Sequence, residues 1–165
     1  MSLDWLLPVA YLAYTRSKLD RSGLARLLGV SRSIARKLLW VASRHGLLRV
    51  DSGSINVTMK GARFVEKVWY VARSSNKFVF VLPRRLVIVF IRPRRGLRAY
   101  SVSARLACSV YAALANGVSE PREISLRIGV HSKTVSLAMR ALRVLGCPGA
   151  CCVLVDLCSR LGGKE

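Results

Sequence analysis

The sequence predicts a mainly helical α+β protein in which two copies of a three-helix unit are joined by a β-hairpin segment. Three observations carry this. The 165-residue chain aligns with itself at an offset of 100 residues, with no gap from residue 11 to residue 46. Identities fall at Tyr11/Tyr111, Ala13/Ala113, Gly29-Val30/Gly129-Val130 and Gly46/Gly146. The apolar positions Leu24/Ile124, Leu28/Ile128, Ala35/Val135, Leu39/Met139 and Ala42/Leu142 coincide at helical spacing. Between the copies, residues 77–91 (KFVFVLPRRLVIVFI) form two β-branched and aromatic runs flanking Pro83-Arg84-Arg85.

The first helix is expected over residues 3–15 in one copy and 103–116 in the other, where Asn116-Gly117 is a natural stop. The second opens after Asp20 or Glu120-Pro121, where an acid complements the helix dipole and Pro suits the first turn. It closes at Gly29 or Gly129. The third runs from about Ser31 to His45, or from Ser132 to Leu145. Ala35, Leu38, Leu39 and Ala42 make its apolar stripe, repeated by Val135, Ala138, Met139 and Leu142. Trp40 lies off that stripe and is expected to meet the other domain or a second subunit.

After the third helix, Leu47–Val50 reads as a strand, Asp51–Ser54 as a turn and Ile55–Thr58 as the return strand. A helix follows from Gly61-Ala62, with Phe64, Val65, Val68, Trp69 and Ala72 on its apolar side. The second copy reads shorter: Gly146–Gly149 as a turn, then Cys152–Val155 as a strand. Both runs of the 77–91 hairpin are apolar on both faces. Both faces therefore need cover, either from the two helical domains or, as favoured here, across a homodimer, since bare strand edges invite pairing. Arg92-Pro93-Arg94-Arg95-Gly96-Leu97-Arg98 reads as an extended basic loop, able to follow phosphates, to enter a minor groove or to serve as a solvated linker. These elements give domains at 1–73 and 101–165, with 74–100 as a basic hairpin and linker.

Two helices, a Gly-Val-Ser turn, a third helix, Gly-Leu-Leu and a two-stranded hairpin resemble the winged helix-turn-helix family of DNA-binding proteins. Leu24–Ser31 and Gly46-Leu47-Leu48 carry the likeness, echoed by Ile124, Gly129-Val130, Thr134-Val135 and Gly146. It covers residues 3–72 well and 103–158 less well. The resemblance implies a third helix presented to the DNA major groove and a wing near the backbone or minor groove. Winged helices also serve as protein-interaction modules, so the family alone does not fix the partner.

Charge points the same way. Lys and Arg number 28 against 8 Asp and Glu, a net charge of +20. Between Glu66 and Glu120 there is no carboxylate and there are ten Lys or Arg, which argues for a continuous positive face. Such a surface attracts polyanions, and double-stranded DNA is the expected partner. Opposite the core stripe, the third helix carries Arg32, Ser33, Arg36 and Lys37, in a stretch with no acid from Arg21 to Val50. Arg pairs bidentately with guanine, while Ser and Lys serve bases or phosphates. Arg44, near that helix's C-terminus, is expected to be a dipole partner or a solvated charge.

Arg49 and Lys60 of the wing, Arg84 and Arg85 at the hairpin tip, and Arg92, Arg94, Arg95 and Arg98 are further phosphate candidates. In the second copy Lys133, Ser136 and Arg140 hold the equivalent face, a thinner set, and His131 reads as a surface or capping residue. The competing expectations are a non-specific architectural DNA or RNA binder and a tandem winged-helix interaction module. No cofactor and no metal is expected. Two His, no clustered carboxylates and no Gly-rich phosphate loop leave little to run catalysis.

The spacing of Cys147, Cys151, Cys152 and Cys158 is not a zinc pattern. With Cys108 these are either buried thiols or, in a thermophilic archaeon, disulfides. The absence of Gln and the presence of only three Asn suit a thermophilic source. The N-terminus lacks a basic signal-peptide region, and its apolar run is interrupted by Pro8, so a cytoplasmic location without membrane insertion is expected.

Overall fold

Capping chemistry sets where the helices begin and end. In a computed structural model, residues 2–149 and 152–162 are described. After a 3₁₀ turn at Asp4–Leu6 come α1 (Leu7–Thr15), β1 (Leu19–Asp20), α2 (Arg21–Leu28) and α3 (Arg32–Arg44). Asp20 caps α2 by accepting from the Gly23 N–H at 2.6 Å, and Ser31 caps α3 by accepting from the Ile34 N–H at 3.2 Å. Gly29 ends α2 at φ 71°, left-handed backbone that a side chain would strain.

Strands β2 (Leu48–Asp51) and β3 (Ser54–Val57) follow, then α4 (Met59–Glu66). The first sheet is antiparallel in the order β1-β3-β2, with Leu19 and Val50 both opposite Ile55. Thr58 holds α4 beneath it: its hydroxyl donates to the Gly46 carbonyl and accepts from the Gly61 N–H at 3.0 Å. Gly61 is buried, and a Cβ there would drive into the Leu47 carbonyl oxygen and the Val57 side chain.

A four-stranded sheet comes next, in the order β4 (Tyr70–Ser74), β5 (Lys77–Val81), β6 (Arg85–Arg92), β7 (Gly96–Ser103). The helices α5 (Ala104–Ala115), α6 (Pro121–Ile128), α7 (Ser132–Val144) and α8 (Cys152–Gly162) complete the chain. The protein is thus α+β, with two sheets among the described residues. The repeat recurs in two helices: α6 and α7 begin and end 100 residues after α2 and α3, and Gly129 stops α6 at φ 76°. Glu120 precedes α6 without a side-chain cap bond, unlike Asp20. None of the described helices is long and apolar enough to cross a membrane.

The chain divides into two compact units. Residues 1–68, 75–78 and 89–100 form one, and residues 69–74, 79–88 and 101–165 the other, so each strand from β5 to β7 contributes to both. Phe78, Val79, Phe80, Val81, Leu86, Val87, Ile88 and Val89 are all at most 2% exposed. These hairpin side chains are therefore buried within a single chain.

Three local expectations are corrected. The helix from Gly61 stops at Glu66, and Tyr70–Ser74 is a strand. The run from Tyr70 takes the extended form because β5 offers it partners, the pairing being approached by the 2.8 Å bond from the Trp69 N–H to the Val81 carbonyl. The Arg92–Arg98 stretch is not an extended loop: Arg92 ends β6, the Arg95 N–H closes a tight turn onto the Arg92 carbonyl at 3.0 Å, and Gly96–Arg98 open β7. Cys152–Val155 begins a helix, not a strand. A short apolar run suits either state, and the buried Leu154 and Leu157 lie three apart, at helical spacing.

Cys158 of α8 is joined to Cys108 of α5, closing a sequence separation of 50 residues. Cys147 is also disulfide-bonded. Cys151 lies outside the described residues, as does the side chain of Cys152.

Two stability measurements follow. Gly61→Ala is expected to lower unfolding stability by about 1–3 kcal/mol through overpacking against backbone, read from urea midpoints. Cys108→Ser is expected to cost about 2–4 kcal/mol under non-reducing conditions, and the difference should vanish in excess dithiothreitol.

Candidate nucleic-acid interface

The apolar stripe of α3 fixes which of its side chains face outward. Ala35, Leu38, Leu39 and Ala42 are buried, so the opposite side of a 3.6-residue helix must present Ser33, Arg36, Trp40 and Arg44, flanked by Arg32 and Lys37. All six are exposed. The helix has 13 residues and so spans about 20 Å, long enough to lie in a groove about 12 Å wide.

The turn between β6 and β7, distant in sequence but in the same unit, lies beside the start of this helix. The Pro93 carbonyl accepts from the Ser31 N–H at 3.3 Å, next to the α3 cap. Gly96 runs close enough that a Cβ there would lie 3.9 Å from Ile34 Cγ2. Lys37 and Arg95 line one small concavity of about 150 Å³, with Trp5, Ile34 and Leu97 among its apolar walls. Arg94 and Arg95, both exposed, are thereby carried alongside Arg32, Arg36 and Lys37. None of these five cations has an ion-pair partner among the described residues. A group of like charges with no carboxylate among it keeps its potential until an external anion supplies compensation.

Other candidates are placed differently. The Lys60 ammonium donates to the His45 carbonyl at 2.8 Å and so closes the C-terminal end of α3. Arg49 is exposed but pairs with Asp51 on the same strand at 3.4 Å. The Arg98 guanidinium lies 5.0 Å from the Tyr100 ring, and Arg92 is half-buried with its Nε lacking a hydrogen-bond partner among the described residues. In the second unit Arg84 lies in the β5–β6 turn and Arg85 opens β6. Lys133, Ser136 and Arg140 share one face of α7, around a shallow concavity of about 340 Å³ also lined by Ser132 and Leu137. His131 caps α7, its Nδ1 accepting from the Lys133 N–H at 3.1 Å.

Trp40, expected to meet the other domain or a second subunit, is 59% exposed in the single chain, with the Arg44 guanidinium 4.9 Å from its ring centroid. Its position four residues after Arg36 and seven after Ser33 was the available signal that both residues continue the basic stripe. A cation held over an indole face offers a flat, positively charged surface to a base or sugar. Guanidinium groups on such a stripe can donate in parallel to guanine O6 and N7 or to phosphate oxygens.

Compared with known proteins, the chain matches no family model, no curated protein and no solved structure. The functional reading rests on these residues alone.

Because these cations are exposed and lack acidic partners, they contribute little to the fold. The double variant Arg36→Ala/Lys37→Ala is expected to unfold within about 0.5 kcal/mol of the parent, with any difference disappearing at about 1 M salt, as thermal unfolding can check.

Proposed function

We propose that this chain is a double-stranded-DNA-binding protein of winged helix-turn-helix architecture, acting as a transcriptional regulator. In this reading α1, α2 and α3 form the helical part, β2 and β3 the wing, and α5, α6 and α7 a second copy without that wing. The outward stripe of α3 enters the major groove, where Arg32, Ser33, Arg36 and Lys37 reach base edges and nearby phosphates. Arg94 and Arg95 take phosphates beside it, and the remaining Arg-rich surface adds sequence-independent attraction. The chain supplies charge and shape, and no catalytic step or cofactor is assigned to it.

The observation that carries this reading is the uncompensated cluster of five cations assembled from α3 and the β6–β7 turn. On a solvated helix face of no function, acids and bases are usually interspersed. The second copy already provides a helix like α3 in the same chain, so two DNA contacts do not require a homodimer.

Fluorescence anisotropy with duplexes of random and selected sequence tests the proposal. If about six phosphates are neutralised, log affinity should fall with log salt at a slope of about −5. Arg36→Ala/Lys37→Ala should weaken binding at least tenfold and flatten the slope by about 2, as should Arg94→Ala/Arg95→Ala. Arg122→Ala, on α6, removes only a share of the diffuse attraction and should change affinity less than about twofold. Equal affinity for selected and random duplex would assign the chain to architectural binding instead. No affinity at low salt would reject nucleic acid altogether and favour a protein-interaction module.

A further inference from the structure

The first unit also contains a larger apolar concavity, apart from the α3 stripe. It measures about 380 Å³, within the range of small-molecule sites, and its floor is Leu3, Leu47 and Phe64. Lys60, Arg63 and Lys67 line it too, at positions i, i+3 and i+7 of one side of α4 and its C-terminal cap. No carboxylate lines it among the described residues. Glu66, the acid of α4, accepts from the Tyr14 hydroxyl at 3.4 Å and is not among the lining groups. Met59 stands at this concavity 72% exposed, a large apolar side chain left in water.

Two features together select a ligand. Three cations alone would suit any anion, but inorganic phosphate would gain nothing from Phe64, Leu47 and Met59. A neutral hydrocarbon would fill the floor and leave the cations unused. We propose that this concavity binds a small amphipathic monoanion, an aliphatic carboxylate whose chain lies on Phe64 and Leu47 and whose head is held by Arg63 and Lys67. Each methylene buried should raise affinity by up to about fourfold, so affinity should rise with chain length. Lys60 adds a link to the rest of the unit, because the side chain that lines the concavity also closes the end of α3 through its ammonium on the His45 carbonyl. The site stands independently of the DNA reading, since it uses none of the α3 stripe.

Isothermal titration calorimetry of the full chain with decanoate below its micellar concentration tests this. The expected result is saturable binding of one decanoate per chain, with acetate, inorganic phosphate and decanol each at least tenfold weaker. Arg63→Glu should weaken decanoate about tenfold and Arg63→Lys should retain it, whereas Arg122→Glu should match the parent. Circular dichroism of each variant reports that the fold is kept. Equal binding of acetate or decanol would overturn the proposal. So would several decanoates per chain lost equally in Arg63→Glu and Arg122→Glu, or binding to anionic vesicles with none to free decanoate.

Discussion

The burial of one face of α3 is the constraint on which the rest of the first unit depends. Ala35, Leu38, Leu39 and Ala42 leave no freedom to rotate the helix, because a rotation of one residue position would bring Arg36 or Trp40 toward the core. The same packing that holds the unit together therefore aims Ser33, Arg36, Trp40 and Arg44 into solvent. Stability and orientation of the cations have a single physical origin. The exposed side chains contribute almost nothing to folding, which leaves their identities free to serve recognition.

The site also depends on a contact between distant parts of the chain. A turn ninety-odd residues into the sequence lies against the first turn of α3 through the Pro93 carbonyl and the close approach of Gly96. It places Arg94 and Arg95 among cations already lacking partners, and neighbouring like charges raise the cost of leaving all of them uncompensated. Such a cluster is tolerable because water and salt screen it over about 10 Å, and it becomes favourable when an anion of high charge density lies across it. The second copy shows the contrast: α7 repeats the helix but carries Ser136 and Leu137 where α3 has Arg36 and Lys37.

Much of this architecture could be read from the residues. The gapless repeat located α6 and α7, and the Gly29 and Ser31 punctuation located the turn before α3, because capping and helical spacing are local. The hairpin over Lys77–Arg92 was legible for the same reason. Tyr70–Ser74 was not, since a run such as VWYVA satisfies a helix face or a strand equally until β5 supplies hydrogen-bond partners. The α8 segment failed likewise: four apolar residues carry no period. Of the candidate site, the α3 residues followed from periodicity alone. The tight β6–β7 turn and its place beside the Ser31 cap depend on sheet order, which no local pattern encodes. Trp40 follows from the same periodicity, since its spacing sets it among the outward groups.

The central claim is that α3 and the β6–β7 turn act as one surface toward DNA. Titrating ¹⁵N-labelled protein with a short duplex and following amide chemical shifts tests it most directly. The account predicts that amides from Ser33 to Arg44 and those of Arg94 and Arg95 shift together, with one common dissociation constant, while α4 stays still. Shifts confined to α7 or to the β5–β6 turn, or two groups saturating at unrelated concentrations, would contradict it.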